Sequence, residues 1–470
     1  MEIFTAVCQS IYEALLYLTN WPLATILLTG GIYFSLRTGF IQRKLPDAIR
    51  VTLEKPDKQG SVSSFGALMV STASRVGSGN IIGVSTAICI GGPGAVFWMW
   101  LCAVIGGASA FVESTLAQIY KRKNPDGSSY GGPSYYIESV LKNKFLAVIF
   151  ALALIFTYGV GYNMLASYNL QSAFSGFSFY SCGCCWYFGI ATALLFIVCI
   201  MGGGKMIIRS TEFLVPLMGV IYIAFALAAM VINHAGIPGM LVNIFQSAFD
   251  FKAICGGFSG SVIMLGMKRG LYSNEAGIGS APNAAAAAAV SHPVKQGFVQ
   301  MLSVFIDTLL ICSATAFMCL SSPAPVNAAD AGAPYVQNAM ISTFGTIGPI
   351  FIATAMVLFS FTTLLGNFYY VENCFAYLCG RKPAKKLLIP ARLTGAFLIA
   401  IGAGIKMDIA WGIADISQCV LAFINIPVCI IIGSRAYTAL NDYERQRKSG
   451  RNPVFNAAEA KLPETTDFWN

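Results

Sequence analysis

The sequence predicts an all-α polytopic membrane protein, and three observations carry that prediction: the residue balance, the recurrence of long apolar runs, and two interrupted runs at corresponding places. Of the 470 residues 56% are hydrophobic and only 11% are charged, against about 45–50% apolar and about 25% charged in soluble domains. That balance excludes a water-soluble globule. Runs of about 20 apolar residues, the length that crosses a hydrocarbon core of about 30 Å, recur along the chain. Eleven are read, counting interrupted ones: about 13–39, 61–92, 95–119, 146–173, 185–201, 210–233, 253–290, 297–320, 345–375, 387–405 and 409–434. Peptide groups in lipid must be satisfied within the segment, so these runs are helices.

The first run is kept in the protein on this reading, because residues 1–20 hold no Lys or Arg and no small-residue cleavage site follows a short apolar stretch. With its loop it forms a unit at 1–60. The other ten runs divide into two sets of five, 61–233 and 234–434, and a polar tail follows at 435–470. An odd number of crossings sends the second set in from the opposite side, so the two five-helix repeats are inverted. Charge sets the orientation. Of thirty Lys and Arg, 23 fall in the alternate loops 40–60, 120–145, 202–210, 291–296, 376–386 and 435–470, and only Lys252 and Lys406 in the opposite set. The rich side is cytoplasmic, which puts the N-terminus outside and the C-terminal tail inside a plasma (inner) membrane of bacterial or archaeal type. The net charge of +9 therefore reports topology and argues against a nucleic-acid partner; the bilayer is the partner it implies. No obligate protein partner is evident.

The fourteen cysteines are mostly single within spans, where a thiol behaves as a small hydrophobe. Only Cys182, Cys184 and Cys185 cluster, in an outer loop where a disulfide is open and a metal site would lack partners. Two histidines and no HExxH or GxSxG pattern speak against an enzyme.

The first run of each repeat is the interrupted one. SRVGSGNIIGV, Ser74 to Val84, opens the first repeat, and GMKRGLYSNEAGIGSAPN, Gly266 to Asn283, opens the second. At a break, freed N–H groups and half-helix N-termini attract an anion, whereas freed carbonyls attract a cation. Paired breaks thus point to a small ligand near mid-membrane that bears both charges or arrives with a cation. Close helix packing accounts for glycines such as Gly106 and Gly107, but not for Arg75 or the amide of Asn80.

These stretches, SRVGSGNIIGVSTAICIGGPGAVFWMW (74–100), FVESTLAQIYK (111–121), GGPSYYI (131–137), KRGLYSNEAGIGSAP (268–282) and FTTLLGNFYYVEN (361–373), resemble the alanine or glycine:cation symporter family across nearly the whole chain. The resemblance implies a leucine-transporter-type fold with one extra N-terminal helix. It also implies import of a small neutral amino acid, alanine or glycine, with Na+ as coupling ion by alternating access. By this resemblance Gly77, Ser78, Gly79, Asn80 and Gln171 contact substrate. The carbonyls of Leu265 and Gly266 would take its ammonium group across the site, with Thr363 and Asn367 also in the pocket. Na+, a hard ion, would find oxygens at Ala73, Val76, Ser360, Thr362 and Thr363. Asn367 departs from the tryptophan of many members, which opens a polar substrate such as glutamine as an alternative. An ion channel is the rival class, since helix breaks also line pores.

The remaining buried charges divide by depth. Lys268, Arg269 and Glu275 are expected to pair with one another or to face a water-filled vestibule, and Glu113 and Glu372 to act as interface or gating groups at the cytoplasmic ends of their spans. Asp415 is a functional candidate by position. Asp307, deeper, is the alternative holder of a coupling ion or proton.

Overall fold

A chain this apolar meets its peptide groups in lipid by local hydrogen bonding, and helix dominates the computed structural model, which describes residues 13–15, 17–54, 62–124, 127–181, 183–250, 262–380, 383 and 385–469. In chain order the helices are α1 (Trp21–Arg37), α2 (Leu45–Thr52), α3 (Ser64–Arg75), α4 (Ile82–Gly91), α5 (Ala95–Ile119), α6 (Pro133–Leu141) and α7 (Lys144–Ser172). There follow α8 (Cys184–Ile200), α9 (Gly204–Ile232), α10 (Ile237–Ala248), α11 (Val262–Asn274), α12 (Pro282–Ala285) and α13 (Pro293–Ser321). The chain closes with α14 (Ala333–Phe344), α15 (Ile347–Leu378), α16 (Lys385–Gly402), α17 (Met407–Ile432) and α18 (Ser434–Lys448). Arg122–Lys123 and Ser129–Tyr130 pair as a two-stranded antiparallel hairpin, β1 and β2.

Among the described residues, α5, α7, α9, α13, α15 and α17 are each long and apolar enough to cross a bilayer. The expected spans at 13–39, 185–201 and 387–405 are helices of 17, 17 and 18 residues, about 26 Å at 1.5 Å per residue and so close to the hydrocarbon thickness. The two remaining spans are interrupted, as expected. The second of them begins outside the described residues, as does Cys182 of the loop cluster.

After each interrupted helix the same order of elements follows. A long helix (α5, α13) is followed by a short one (α6, α14), another long one (α7, α15), a shorter one (α8, α16) and a last long one (α9, α17). Packing sorts them into two bodies. In one, α5 lies against α11 and α13; in the other, α7 and α8 lie against α16 and α7 also against α15. The first interrupted helix bridges them, with α3 against α15 and α9. The extra helix α1 packs on α5 and α17 through adjacent glycines: a Cβ on Gly31 would stand 2.3 Å from Ile105 and one on Gly30 2.6 Å from Ile426. Small residues there let backbones approach where lipid supplies no hydrophobic drive. Beyond α1 the chain turns by 67° into Ile41–Thr52.

The polar tail is less of a tail than its composition suggests. After α18 the chain folds back, and Phe455, Ala457, Ala460 and Trp469 are buried.

Candidate functional site

Helix α3 stops at Arg75, with the N–H of Val76 still bonded to Thr72 O (2.7 Å). Gly77 is then extended (φ −136°, ψ −158°), and a single tight turn over Ser78–Asn80 leads into α4. The backbone here is left open. Among the described residues the N–H groups of Ser78 and Gly79 donate to nothing, and the carbonyls of Ser74, Arg75 and Val76 accept nothing. Both kinds of bare peptide dipole thus lie within one buried stretch.

Side chains from other helices hold this turn in place. Asn80 Oδ1 accepts from Gly77 N (2.9 Å), and Asn80 Nδ2 donates to Asp307 Oδ1 (2.6 Å) and to Asp307 O (3.2 Å). The carbonyl of Asn80 accepts from Thr315 (2.7 Å). Asp307 lies at a widened, π-type stretch of α13, Phe305–Cys312, and its Oδ2 also accepts from Ser273 (2.6 Å) and Thr308 (2.8 Å). Asn169 Nδ2 donates to Ser78 Oγ (2.9 Å). Thr363 on α15 donates to Ala73 O (3.2 Å), and its hydroxyl fits against Gly77 so closely that a Cβ there would lie 2.1 Å from it. Gly79 faces the ring of Tyr272, 2.5 Å from where its Cβ would stand. Arg75 is buried beside the opening; one nitrogen donates to Gln300 O (3.3 Å), while Nε and Nη2 have no partner among the described residues.

Over Tyr272 sits a closure that the sequence did not suggest. Tyr272 meets Tyr162 and Trp411 edge to face, with ring centroids 4.9 and 4.8 Å apart. Arg269 lies 3.8 Å above the Trp411 ring and pairs with Asp415 (3.2 Å), to which Lys268 adds a longer contact (3.8 Å). Lys268 and Arg269 therefore pair with Asp415 of α17 rather than with Glu275, because they lie on the helical part of α11, before the second break turns the chain.

The second break falls later than expected. Helix α11 is continuous through residues 265–270, so the carbonyls of Leu265 and Gly266 lie inside a hydrogen-bonded helix. Gly266 serves packing instead: a Cβ there would meet Ala95 O at 2.5 Å and Trp98 at 2.7 Å. The chain unwinds only after Asn274, where Glu275, Gly277 and Gly279 take φ of 53°, 86° and 82°. Left-handed geometry suits the glycines and is rare for glutamate. This break is met in part from within. The Glu113 carboxylate accepts from Gly277 N (3.3 Å) and Gly279 N (3.0 Å), and Asn425 donates to Glu113 (2.7 Å) and to Gly277 O (2.9 Å). Tyr136 donates in turn to Asn425. Glu113 is fully buried more than a turn short of the end of α5, so it braces the break and is not the end-of-span group expected.

Glu275 links the breaks, its two oxygens accepting from Ser74 (3.1 Å) and Ser280 (2.7 Å). Ser74 also meets Asn367 Oδ1 (2.7 Å), and Asn367 Nδ2 donates to Asn163 Oδ1 (3.0 Å). Both ends of the Asn367 amide are thus engaged. Thr362 turns away from Thr363, bonding Leu358 O (3.0 Å) and Phe359 O (3.1 Å) of its own helix, as helical threonines do. Ser360 Oγ is buried without a partner among the described residues. Gln171 accepts from Tyr180, and Glu372 pairs with Arg392 (2.6 Å). The structure therefore brings Ala73, Gly77, Ser78, Gly79, Asn80 and Thr363 together, and places Leu265, Gly266 and Thr362 in other surroundings. Glu113 was named, but for a role at the end of its span, and Asn425 was missed. A lone acid in an apolar run was the only signal for the first, and nothing marked the second.

Comparison with known proteins bears on the family and the fold. The family described as "Sodium:alanine symporter family" matches residues 1–457. The chain is 39% identical to the "Amino-acid carrier protein AlsT" of Bacillus subtilis, covering 98% of each chain. It is also 39% identical to that organism's "Probable sodium/glutamine symporter GlnT", over 98% of this chain and 97% of the other. Among solved structures, MhsT in complex with L-phenylalanine superposes with a TM-score of 0.52 at 16% identity, covering 87% of this chain and 94% of that one. The shared architecture is the leucine-transporter-type fold.

Proposed function

The chain belongs to the sodium:alanine symporter family, and from that premise we propose that it imports a small neutral amino acid, alanine or glycine, coupled to Na+ by alternating access. One observation carries the reading: the stretch Ser74–Gly79 offers N–H groups and carbonyls that are unpaired among the described residues, side by side and away from water. A zwitterion has the two charges that such a stretch can answer. The N–H groups of Ser78 and Gly79, with the Arg75 guanidinium close behind, receive the carboxylate; the carbonyls of Ser74 and Arg75 receive the ammonium. Asn80 and Gly77 shape the turn. Gln171 lies two residues beyond Asn169, the residue that holds Ser78, with its Oε1 accepting from Tyr180, and acts at the edge of the pocket.

Na+ is the co-substrate. Ala73 O and Thr363 Oγ1 are 3.2 Å apart, a spacing at which two oxygens can share one hard cation once their hydrogen bond yields. Val76 O, free of helical partners, lies three residues on. Asp307 is the second candidate, since its carboxylate is the anionic group in contact with the turn. Binding of the cation orders the first break and so favours substrate entry. The body of α3–α5 with α11–α13 then rocks against α7, α8, α15 and α16, opening the site to one side and then the other. The charge bias puts Arg269, Asp415 and Trp411 on the outer side and the tail in the cytoplasm.

A small substrate suits Asn367, whose donor and acceptor are already spent on Ser74 and Asn163. The resemblance to a named glutamine symporter makes glutamine the competitor to include. The test is uptake of labelled alanine into proteoliposomes with and without an inward Na+ gradient, with unlabelled glycine and glutamine as competitors. Concentrative uptake that needs the gradient and yields to glycine supports the reading; Na+ current without amino acid would replace it by a channel. In the same vesicles Thr363→Ala should raise the Na+ concentration for half-maximal uptake roughly tenfold, the loss of one ligand of about 1–2 kcal/mol, while Thr362→Val should leave it near the wild-type value.

A further inference from the structure

The inner mouths of the two broken helices meet at one seam. The chain beyond α12 runs to Ala289, whose N–H donates to Val62 O (2.9 Å) just before α3 begins. The end of α5 fastens the same place. Gln118 Nε2 donates to Ala285 O and to Ala288 O (2.9 Å), and Lys121 Nζ donates to Ala288 O (3.1 Å). Both side chains are fully buried. What buries them is the C-terminal segment. The Trp469 indole N–H donates to Gln118 O (2.7 Å), and the Lys121 ammonium lies 3.8 Å from the Phe468 ring centroid and 4.8 Å from that of Trp469. The segment is seated further along as well: Phe455 N donates to Ser291 O (2.9 Å), Ser291 Oγ to Pro453 O (2.8 Å), and Ala457 N to Trp469 O (2.8 Å).

We propose that residues 452–469 are a clasp forming part of the inner gate: Phe468 and Trp469, acting through Lys121 and Gln118, hold the seam between the start of α3 and the end of α12, and must release before the site opens to the cytoplasm. The proposal rests on the alternating-access reading above. A contact biases a conformational equilibrium only if it differs between the two states. The motion that breaks this one is a swing of the inner half-helix α12 about the second break, within its body and added to the rocking of the two bodies, since Lys121 and Gln118 reach Ala285 and Ala288 only while the end of α12 lies against the end of α5. That swing would strip Lys121 of its carbonyl and open the aromatic seat to water. A desolvated ammonium over an aromatic face, with one indole hydrogen bond, biases the closed state by about tenfold. Trp469 and Phe468 are thus positioning residues, acting on the seam through Lys121.

The test uses the full chain with its native cysteines replaced and Ala285→Cys as a reporter at the seam. Labelling by a membrane-impermeant maleimide is followed from the cytoplasmic side, without Na+ or amino acid. Trp469→Ala should speed labelling about tenfold, and Trp469→Phe, which keeps a ring over Lys121, should speed it less. A second reporter, Thr192→Cys on α8, lies far from the seam and should label at an unchanged rate. Equal rates at Ala285→Cys with and without Trp469 would overturn the proposal, and so would an equal rise at both reporters, which would mean that the tail only stabilises the fold. Because labelling needs no substrate, a failure of Na+-driven uptake leaves this result readable on its own.

Discussion

Among the described residues, the first break leaves the N–H groups of Ser78 and Gly79 and the carbonyls of Ser74, Arg75 and Val76 without partners, whereas at the second the N–H groups of Ala276, Gly277 and Gly279 are met by Asn274 and Glu113, and those of Ile278, Ser280 and Ala281 are not. Both sites interrupt a buried helix at glycines, yet only the second holds a carboxylate of the protein's own against its N–H groups. The acid on α5 occupies the place that an anionic ligand would take at the second break. A buried donor without a partner costs about 1–3 kcal/mol, and a bound carboxylate would answer the N–H groups of Ser78 and Gly79. On the proposed function the difference gives ligand binding to the first break and bracing to the second.

The comparison fails most visibly if Glu113 proves dispensable. Glu113→Ala removes the acceptor for two peptide N–H groups and for Asn425 in a site with no water access, and should destabilise the protein by roughly 3–5 kcal/mol. Glu113→Gln keeps one acceptor and should lose about half as much. Thermal unfolding in detergent, followed by monodispersity, measures both. A Glu113→Ala protein that melts with the wild type would show that the second break holds itself, and the contrast between the two would go.

Asn80 tests the opposite side with a smaller effect. Its amide touches Gly77 and Asp307 and closes the turn, so Asn80→Ala should let the open N–H groups wander. Alanine binding measured calorimetrically should weaken by roughly 1–3 kcal/mol, with a fall in stability well below that of Glu113→Ala. The reverse pattern, full affinity in a protein that has become fragile, would make the first break a brace as well.

How far this was legible in the sequence follows from the range of the forces involved. Apolar length and loop charge are local, and they yielded the helices, the interrupted pair and the place of Gly77–Asn80. The second break was misplaced because a glycine that permits close packing and a glycine that permits positive φ look alike in one dimension. Gly266 is the first kind and Gly277 and Gly279 the second. Pairings across the fold were out of reach for the same reason. Arg269 sits next to Lys268 and near Glu275 in sequence, but finds Asp415, 146 residues away. The buried tail had one legible mark, the aromatics Phe455, Phe468 and Trp469 in an otherwise polar segment.

The smallest predicted effect concerns the end of the second break, where pH enters. His292 caps α13 just beyond the seam; its Nδ1 accepts from Val294 N (3.3 Å), so the ring proton is on Nε2, facing Asp442 Oδ2 at 3.3 Å. Burial lowers the His292 pKa from its ordinary 6.5, Lys295 adds to that, and the Asp442 carboxylate opposes it. The hydrogen bond from His292 holds Asp442 below its ordinary 3.8. The signs then follow. With the tail docked the histidine resists protonation, whereas a released histidine takes a proton near 6.5, so docking is favoured above that value and weakens as pH falls below it. Asp442 stays ionised throughout this range and contributes no slope. Between pH 7.5 and 5.5 the loss is bounded by about 1.4 kcal/mol, roughly tenfold. Hydrogen exchange of residues 452–469, corrected for intrinsic rates, should rise by up to that factor on acidification and stay level in His292→Asn, which keeps a capping side chain. Slower exchange of the tail in acid would mean that the ion pair with Asp442 outweighs burial, and the clasp would then tighten where it is expected to loosen.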